Sequence, residues 1–358
     1  MGGVADAAAV TVSRPVATPS RSQLRLTLRR FGRDRWSVAA ACVFVMILFA
    51  SFFGGAIASA ALGHNGTDLY PYAANISRKP VGPLTWVPDT NVAYGYGADG
   101  DIAPPPKHAP RTLFVFGADG ILGHDEFLRV LDGGKASLEI GLGGVIIALL
   151  IGLPIGAMAG YFGGVADWLV SRFTETVMAF PLIFFLVFAS VRLDATLTPI
   201  GWGQIFPKGV FAEALLIGVF TSFYPTRLIR ASLLPLRHAE FVDAARMVGA
   251  SNWRILRKHL LPHLVPTMII WGAIATATNI LLEVGLSFVG AGVQPETPTW
   301  GSLLSGTWGT IFSPQSYNSA NNTIWQTVFP TVFILLTVVA LNQIAEGIRR
   351  ATEPGGGR

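Results

Sequence analysis

Four uncharged stretches dominate the sequence and set the terms for any fold. Trp36 to Gly63 runs 28 residues without a charge, Ile140 to Ala166 runs 27, Leu264 to Leu282 runs 19 and Ile324 to Ala345 runs 22. A helix needs roughly 20 mostly apolar residues to cross a bilayer. Two shorter stretches extend the series: Thr176 to Val191, 16 residues with Pro181 inside, and Ala214 to Thr226, 13 residues. The latter reaches spanning length when Lys208, Arg227 and Arg230 lie at its ends and snorkel. Six spans are expected. Only 13% of residues are charged, against about 25% in soluble domains. A normal water-facing surface cannot be built from that, which excludes an ordinary cytosolic enzyme, a disordered chain and a nucleic-acid-binding domain. The single cysteine, Cys42, excludes a disulfide framework and a cysteine metal cage.

The basic residues orient the spans. With an inside N-terminus, 18 of the 26 Lys and Arg fall in the inside segments 1–35, 160–172, 225–263 and 346–358, so both termini are expected in the cytoplasm. The first apolar stretch has a basic flank and Ala58-Ser59-Ala60 near its end. It is far longer than the core of a secretory signal, and is read as a retained anchor. The chain divides into a cytoplasmic tail 1–35, a first span 36–62, an outside insertion 63–135, a membrane core 136–347 and a tail 348–358. Gln23 to Arg33 reads as a basic amphipathic entry helix or a plain basic flank. The outside segment is rich in Gly, Pro and Tyr and lacks helical periodicity. It is too long for a mere connection, and is read as a cap on the outer face, a contact for a delivery partner or a surface insertion. No internal repeat is evident.

The segment between spans four and five is the most informative. Ala239 to Val248 has helical periodicity, with Phe241, Val242, Ala245 and Val248 on one face. Gly249 stops this helix. Ser251 caps a second, in which Trp253, Leu256 and Leu260 share a face. Pro262 starts the next span. The expected product is a helix–Gly–helix elbow on the inner surface, studded with Arg230, Arg237, Arg246, Arg254, Arg257 and Lys258. Composition alone favours a basic loop resting on lipid over such an elbow. The small residues Ala244, Ala245 and Gly249 permit close approach of another backbone.

The spacing then narrows the reading. Asp243-Ala244-Ala245, three residues, Gly249, nine residues, His259 and Leu261-Pro262 resembles the acid-Ala-Ala signature of ATP-binding-cassette importer permeases, with Asp243 for the usual Glu. Further stretches resemble the dipeptide, oligopeptide and nickel permease family: Phe116 to Asp119, Gly123-His124-Asp125, Gly134 to Leu138, Gly160 to Gly164 with Asp167, Ala179-Phe180-Pro181, Leu286 to Pro295, Pro298-x-Trp300-Gly301 and Glu346 to Arg349. The resemblance runs from about Arg111 to Pro354 and points to the second, C-type subunit. It implies an all-α polytopic membrane protein of the type I importer fold, with six transmembrane helices and a cytoplasmic coupling helix. It implies half of a pore in the cytoplasmic membrane, paired with a homologous permease, two ATPase subunits and a solute-binding protein, and carrying short peptides or, alternatively, nickel or another small solute. It assigns Glu240, Asp243, Ala244, Ala245, Gly249, Leu261 and Pro262 to coupling with the ATPase.

Glu283, an acid at the outer end of span five, is either a packing hydrogen-bond partner or a gate in the pathway. Gly133-Gly134-Lys135 is not a phosphate loop, because Arg129 stands where the first glycine belongs and Ala136 follows the lysine. The chain therefore takes its energy from a partner. His259 and His263 lie one turn apart, but Arg257 and Lys258 disfavour a metal. No motif calls for a cofactor or nucleic acid. An ion-coupled secondary transporter would need paired buried carboxylates, and a passive scaffold would not need the elbow.

Overall fold

The computed structural model describes residues 27, 29–73, 80–89, 108–120, 123–197, 209–293, 297–311 and 324–352. Helix α1 is Arg35–Leu62, with a π-helical turn at Ala50–Gly54. The Asp34 carboxylate caps its start by accepting from the Trp36 amide, and Gly63 closes it at φ +78°. Four short strands follow: β1 Thr85–Pro88, β2 Arg111–Phe114, β3 Ala118–Asp119 and β4 His124–Asp125. Helix α2 is Glu126–Phe162, α3 Gly164–Met178, α4 Leu182–Leu197, α5 Val210–Thr221, α6 Phe223–Leu236 and α7 Glu240–Met247. Helix α8 runs without interruption from Asn252 to Phe288, α9 is Trp300–Ile311 and α10 is Ile324–Thr352.

Among the described residues, α1, α2, α8 and α10 are long and apolar enough to cross a membrane, and α3 with α4 makes a fifth candidate bent by 80°. The expected count of six is not reached. The stretch expected as the fourth span divides at Ser222 into α5 and α6, and α6 carries Arg227 and Arg230. The helical stretch around the expected third span is also longer than read from the sequence. It begins at Gly164, where a loop was read, because only Gly163, at φ +67°, separates it from α2. Pro181 then makes the bend. Helix α2 starts at Glu126, well before the uncharged stretch. Asp125 caps it, accepting from the amides of Phe127 and Leu128 at 2.8 and 3.4 Å.

Helix α2 carries small residues every four positions, Gly144, Ala148, Gly152, Gly156 and Gly160, of which Gly144 faces α5 and α8 and the three glycines 152, 156 and 160 bring it against α6. A Cβ on Gly152 would stand 2.7 Å from the Ser222 carbonyl oxygen, one on Gly156 2.5 Å from that of Thr226, and one on Gly160 2.9 Å from Leu233 Cβ. Where lipid supplies no hydrophobic drive between helices, such backbone proximity is what joins them. The four-residue spacing of these small residues is visible in the sequence.

The segment before α2 is not featureless. β1 pairs antiparallel with β2, Thr85 opposite Phe114, and β3 with β4. Tyr70, Ala73, Val87, Phe114 and Ala118 form a small core. This lobe is seated on one end of α10: Gln326 Nε2 donates to the Ala118 carbonyl at 2.6 Å, and the Phe116 and Phe329 rings stack at 3.8 Å. We refer below to the lobe side and, opposite it, the elbow side. The entry segment at Arg29–Phe31 is helical. Residues 23–26, Lys208, Gln294-Pro295 and Pro354 lie outside the described residues.

His64 ties the lobe to two spans. Its Nε2 lies 2.9 Å from the Asp125 carboxylate, and its Nδ1 lies 3.3 Å from the Leu62 carbonyl oxygen and 3.2 Å from Thr112 Oγ1. Its ring stacks on Phe114 and meets Tyr70 edge-on. Burial opposes the imidazolium, but the Asp125 carboxylate, the Leu62 carbonyl and the charge of Asp68 outweigh it and hold His64 above its ordinary value. A raised value means that this stabilisation is full below about pH 6.5, the ordinary imidazole value, and fades as pH rises through the folded value. The melting midpoint of the purified protein should therefore fall between pH 6 and 8 by a component that His64→Gln abolishes. An unchanged pH slope in that variant would remove His64 from the balance.

Candidate functional site

Two constellations stand out, one on each side of the bundle. On the elbow side, α6 ends at Leu236 and the chain turns into α7. Val242 and Ala245 of α7 are buried against Tyr161, Ile229, Leu233, Ile255, Leu256 and Leu260. The Tyr161 hydroxyl donates to Asn252 Oδ1 at 2.9 Å, which joins the end of α2 to the start of α8. Arg246 lies 5.9 Å over the Tyr161 ring and pairs with Asp243 at 3.1 Å. Gly249 turns the chain at φ +81°, and a Cβ there would meet nothing within 4 Å. The Ser251 hydroxyl oxygen accepts from the Arg254 amide at 3.4 Å and caps α8.

The helix–Gly–helix form is as the sequence implies, but its faces differ. Val248 is 86% exposed and Trp253 66% exposed, so neither joins the packed face, where Ile255 stands instead. Val248 is already leaving the helix at ψ 8°. The π turn Leu256–Leu260 inserts extra rotation between Trp253 and Leu260. The outward surface of the elbow therefore carries Glu240, Asp243, Ala244, Met247, Val248, Gly249 and Trp253, with Arg254, Arg257 and Lys258 beside them. Arg230 and Arg237 do not share this surface. Arg230 grips the Asp167 carboxylate of α3 with two nitrogens, and Arg237 Nε donates to His238 Nε2 at 2.9 Å. Leu261 and Pro262 lie within α8, which continues from the elbow as one helix to Phe288.

On the lobe side, Glu283 of α8 is fully buried. The hydroxyls of Thr299, Ser287 and Ser137 donate to its carboxylate at 2.5, 3.0 and 3.3 Å. A Cβ on Gly301 would stand 2.5 Å from Oε1, so only glycine lets the start of α9 come this close. Trp300 is buried beside it, its amide donating to Ser137 Oγ at 3.0 Å and its ring N–H to the Val130 carbonyl at 2.9 Å. A Cβ on Gly134 would stand 2.8 Å from the indole. Three stretches far apart in the sequence, Gly134 to Ser137, Glu283 to Ser287 and Thr299 to Gly301, thus form one socket. Sequence reasoning isolated Glu283 but not Ser137 or Thr299 as its partners. Among the described residues no three metal-ligating side chains converge.

Apolar helices of spanning length joined by a structured elbow suit a membrane transport component. Residues 152–355 match the model of the family described as binding-protein-dependent transport system inner membrane component, and the chain belongs to that family. Its fold is the type I permease fold of ATP-binding-cassette importers, and the family places it in the inner membrane. A peptide permease protein of Brucella ovis is 35% identical over 69% of this chain and 74% of its own length. The oligopeptide transport system permease protein OppC of Haemophilus influenzae is 33% identical over 67% of this chain and 70% of its own. A chain of the solved MetNI methionine ABC transporter, in an inward-facing conformation, aligns with TM-score 0.43 and 22% identity over 62% of this chain and 96% of that one.

Proposed function

We propose that this chain forms half of the pore of an ATP-driven importer of short peptides. It would pair with a homologous permease, two ATPase subunits and an extracytoplasmic solute-binding protein, with the elbow and both termini in the cytoplasm. The observation that carries this reading is the tip of α7. Met247 and Val248 stand exposed around an open glycine turn, on a helix whose other face is locked to α2, α6 and α8. Exposed apolar side chains on a rigid mount suit a partner's groove. The peptide substrate rests on the relatives named above. The test is reconstitution with the neighbouring permease, ATPases and binding protein. Uptake of labelled di- to pentapeptides, with ATP hydrolysis stimulated by the loaded binding protein, is expected. Uptake of nickel without peptide uptake would move the substrate to the alternative branch.

For Glu283 we propose packing rather than gating, supported by three hydroxyl donors that already occupy its oxygens. The same saturation weighs against an ion-coupled secondary transporter. Glu283→Gln leaves a buried donor facing donors, at a cost of about 1–3 kcal/mol for a group left unsatisfied. The yield of intact complex in detergent should fall. Full assembly with an altered transport rate would instead make Glu283 a gate.

A further inference from the structure

An apolar cleft of about 480 Å³ lies between α2, α3, α5 and α6. It is lined by Ile151 and Ile155 of α2, Leu169 and Phe173 of α3, Val219 of α5 and Phe223 of α6. Leu169 and Phe173 are more than half exposed, so the cleft opens sideways along α3, through the flank of the bundle.

The cleft contains three hydroxyls, and each is already spent on its own helix. Thr174 donates to the Val170 carbonyl at 2.8 Å, Ser222 to Val219 at 2.6 Å and Thr226 to Ser222 at 2.8 Å. An occupant finds no free donor there. A peptide would leave its amides unpaired, which is expensive at hydrocarbon depth. Only a hydrocarbon chain enters without such a cost.

The elbow-side edge has a charge to match. Phe223 and Arg227 lie four residues apart on α6, so Arg227 stands one turn beyond the cleft on the face that lines it. Two other arginines near this edge are neutralised: Arg230 by Asp167 and Arg172 by Glu175 at 3.1 Å. Arg227 is exposed and, among the described residues, forms no ion pair with a carboxylate. Trp168, one turn from Arg172 toward the elbow, is also exposed, as suits a tryptophan at a membrane interface. We propose that this cleft holds an acyl chain of an anionic phospholipid from the elbow-side leaflet, with the lipid phosphate on Arg227. The inference needs only that the bundle spans a membrane, so it stands or falls separately from the solute carried.

The test uses the full complex in nanodiscs doped with phosphatidylglycerol or phosphatidylcholine carrying a photoactivatable diazirine in one acyl chain. Labelled peptides are mapped by mass spectrometry. Residues 165–178 and 219–227 should be labelled several times more strongly than the exposed Phe49–Ile57 face of α1. Phosphatidylglycerol should label them about fivefold more than phosphatidylcholine, the contribution of one arginine near an anionic surface. Arg227→Gln, a surface change, should abolish that preference, and Val170→Trp should lower labelling of the cleft while leaving α1 unchanged. Uniform labelling, no headgroup preference, or crosslinks from this cleft to the second permease or to a photoactivatable peptide solute would each overturn the proposal.

Discussion

Gly249→Arg is expected to abolish solute-stimulated ATP hydrolysis while leaving the complex assembled. The position is open, so the new side chain displaces nothing within this chain. The backbone at φ +81° charges any L residue only about 1–2 kcal/mol, too little to unfold the bundle. What changes is the outward tip, where a long cation would stand beside Met247 and Val248 in place of a gap. Gly249→Asn, which tolerates the left-handed turn and is short, should retain much of the stimulation. Asp243→Glu should be near neutral. Asp243→Lys should be harmful, because it reverses the charge that Asp243 presents beside Arg246. The exposed pair itself is worth well under about 1 kcal/mol, so a large loss in that variant would come from a partner surface. Full stimulation with Gly249→Arg would remove the elbow from the coupling mechanism.

Gly156→Leu should act on assembly instead. Its Cβ would approach the Thr226 carbonyl oxygen to 2.5 Å and Thr226 Cα to 3.1 Å, both backbone atoms that cannot swing away. The remaining leucine atoms have no space between α2 and α6. Overpacking a tight core costs about 1–3 kcal/mol even when side chains give way, and here a helix must move. The folded yield in detergent should collapse and the melting midpoint drop. Gly272→Ala is the control, because its Cβ would meet Val145 at an ordinary 3.5 Å and should leave both unchanged. Equal yields for the two variants would show that the helices are not joined through this row.

The spans and the elbow were legible in the sequence for different reasons. Apolar length marks α1, α2, α8 and α10 whatever they touch. A glycine followed by a capping serine marks the turn at Gly249 and Ser251, because both act on their own backbone. Facing was less legible. Val248 and Trp253 continue a helical period on paper, but the left-handed turn ends that period and the π turn shifts it. Charge also hid helix starts: Arg129, Asp132, Lys135 and Glu139 interrupt the apolar run at the head of α2, although the helix begins at Glu126. The Glu283 socket was least legible. Its acid is conspicuous, but Ser137 is 146 positions away and carries no local signal of the pairing. The lobe strands are too short to imprint a period.

The uninterrupted course of α8 has a mechanical consequence. From the Ser251 cap to Glu283 the rod is about 48 Å long at 1.5 Å per residue. Near its far end it is pinned to α2 by the Asn279 amide on the Gly141 carbonyl and by the Glu283 hydroxyl bonds. Under the coupling role proposed above, it would act as a lever with its fulcrum beside the lobe and its handle at the elbow. A swing of about 5° displaces the handle by roughly 4 Å over that length, a distance on the scale of one side chain. A push at the elbow would reach the membrane in a ratio set by the length of this one helix, with the π turn at Leu256–Leu260 and Pro266 as the places where it can bend.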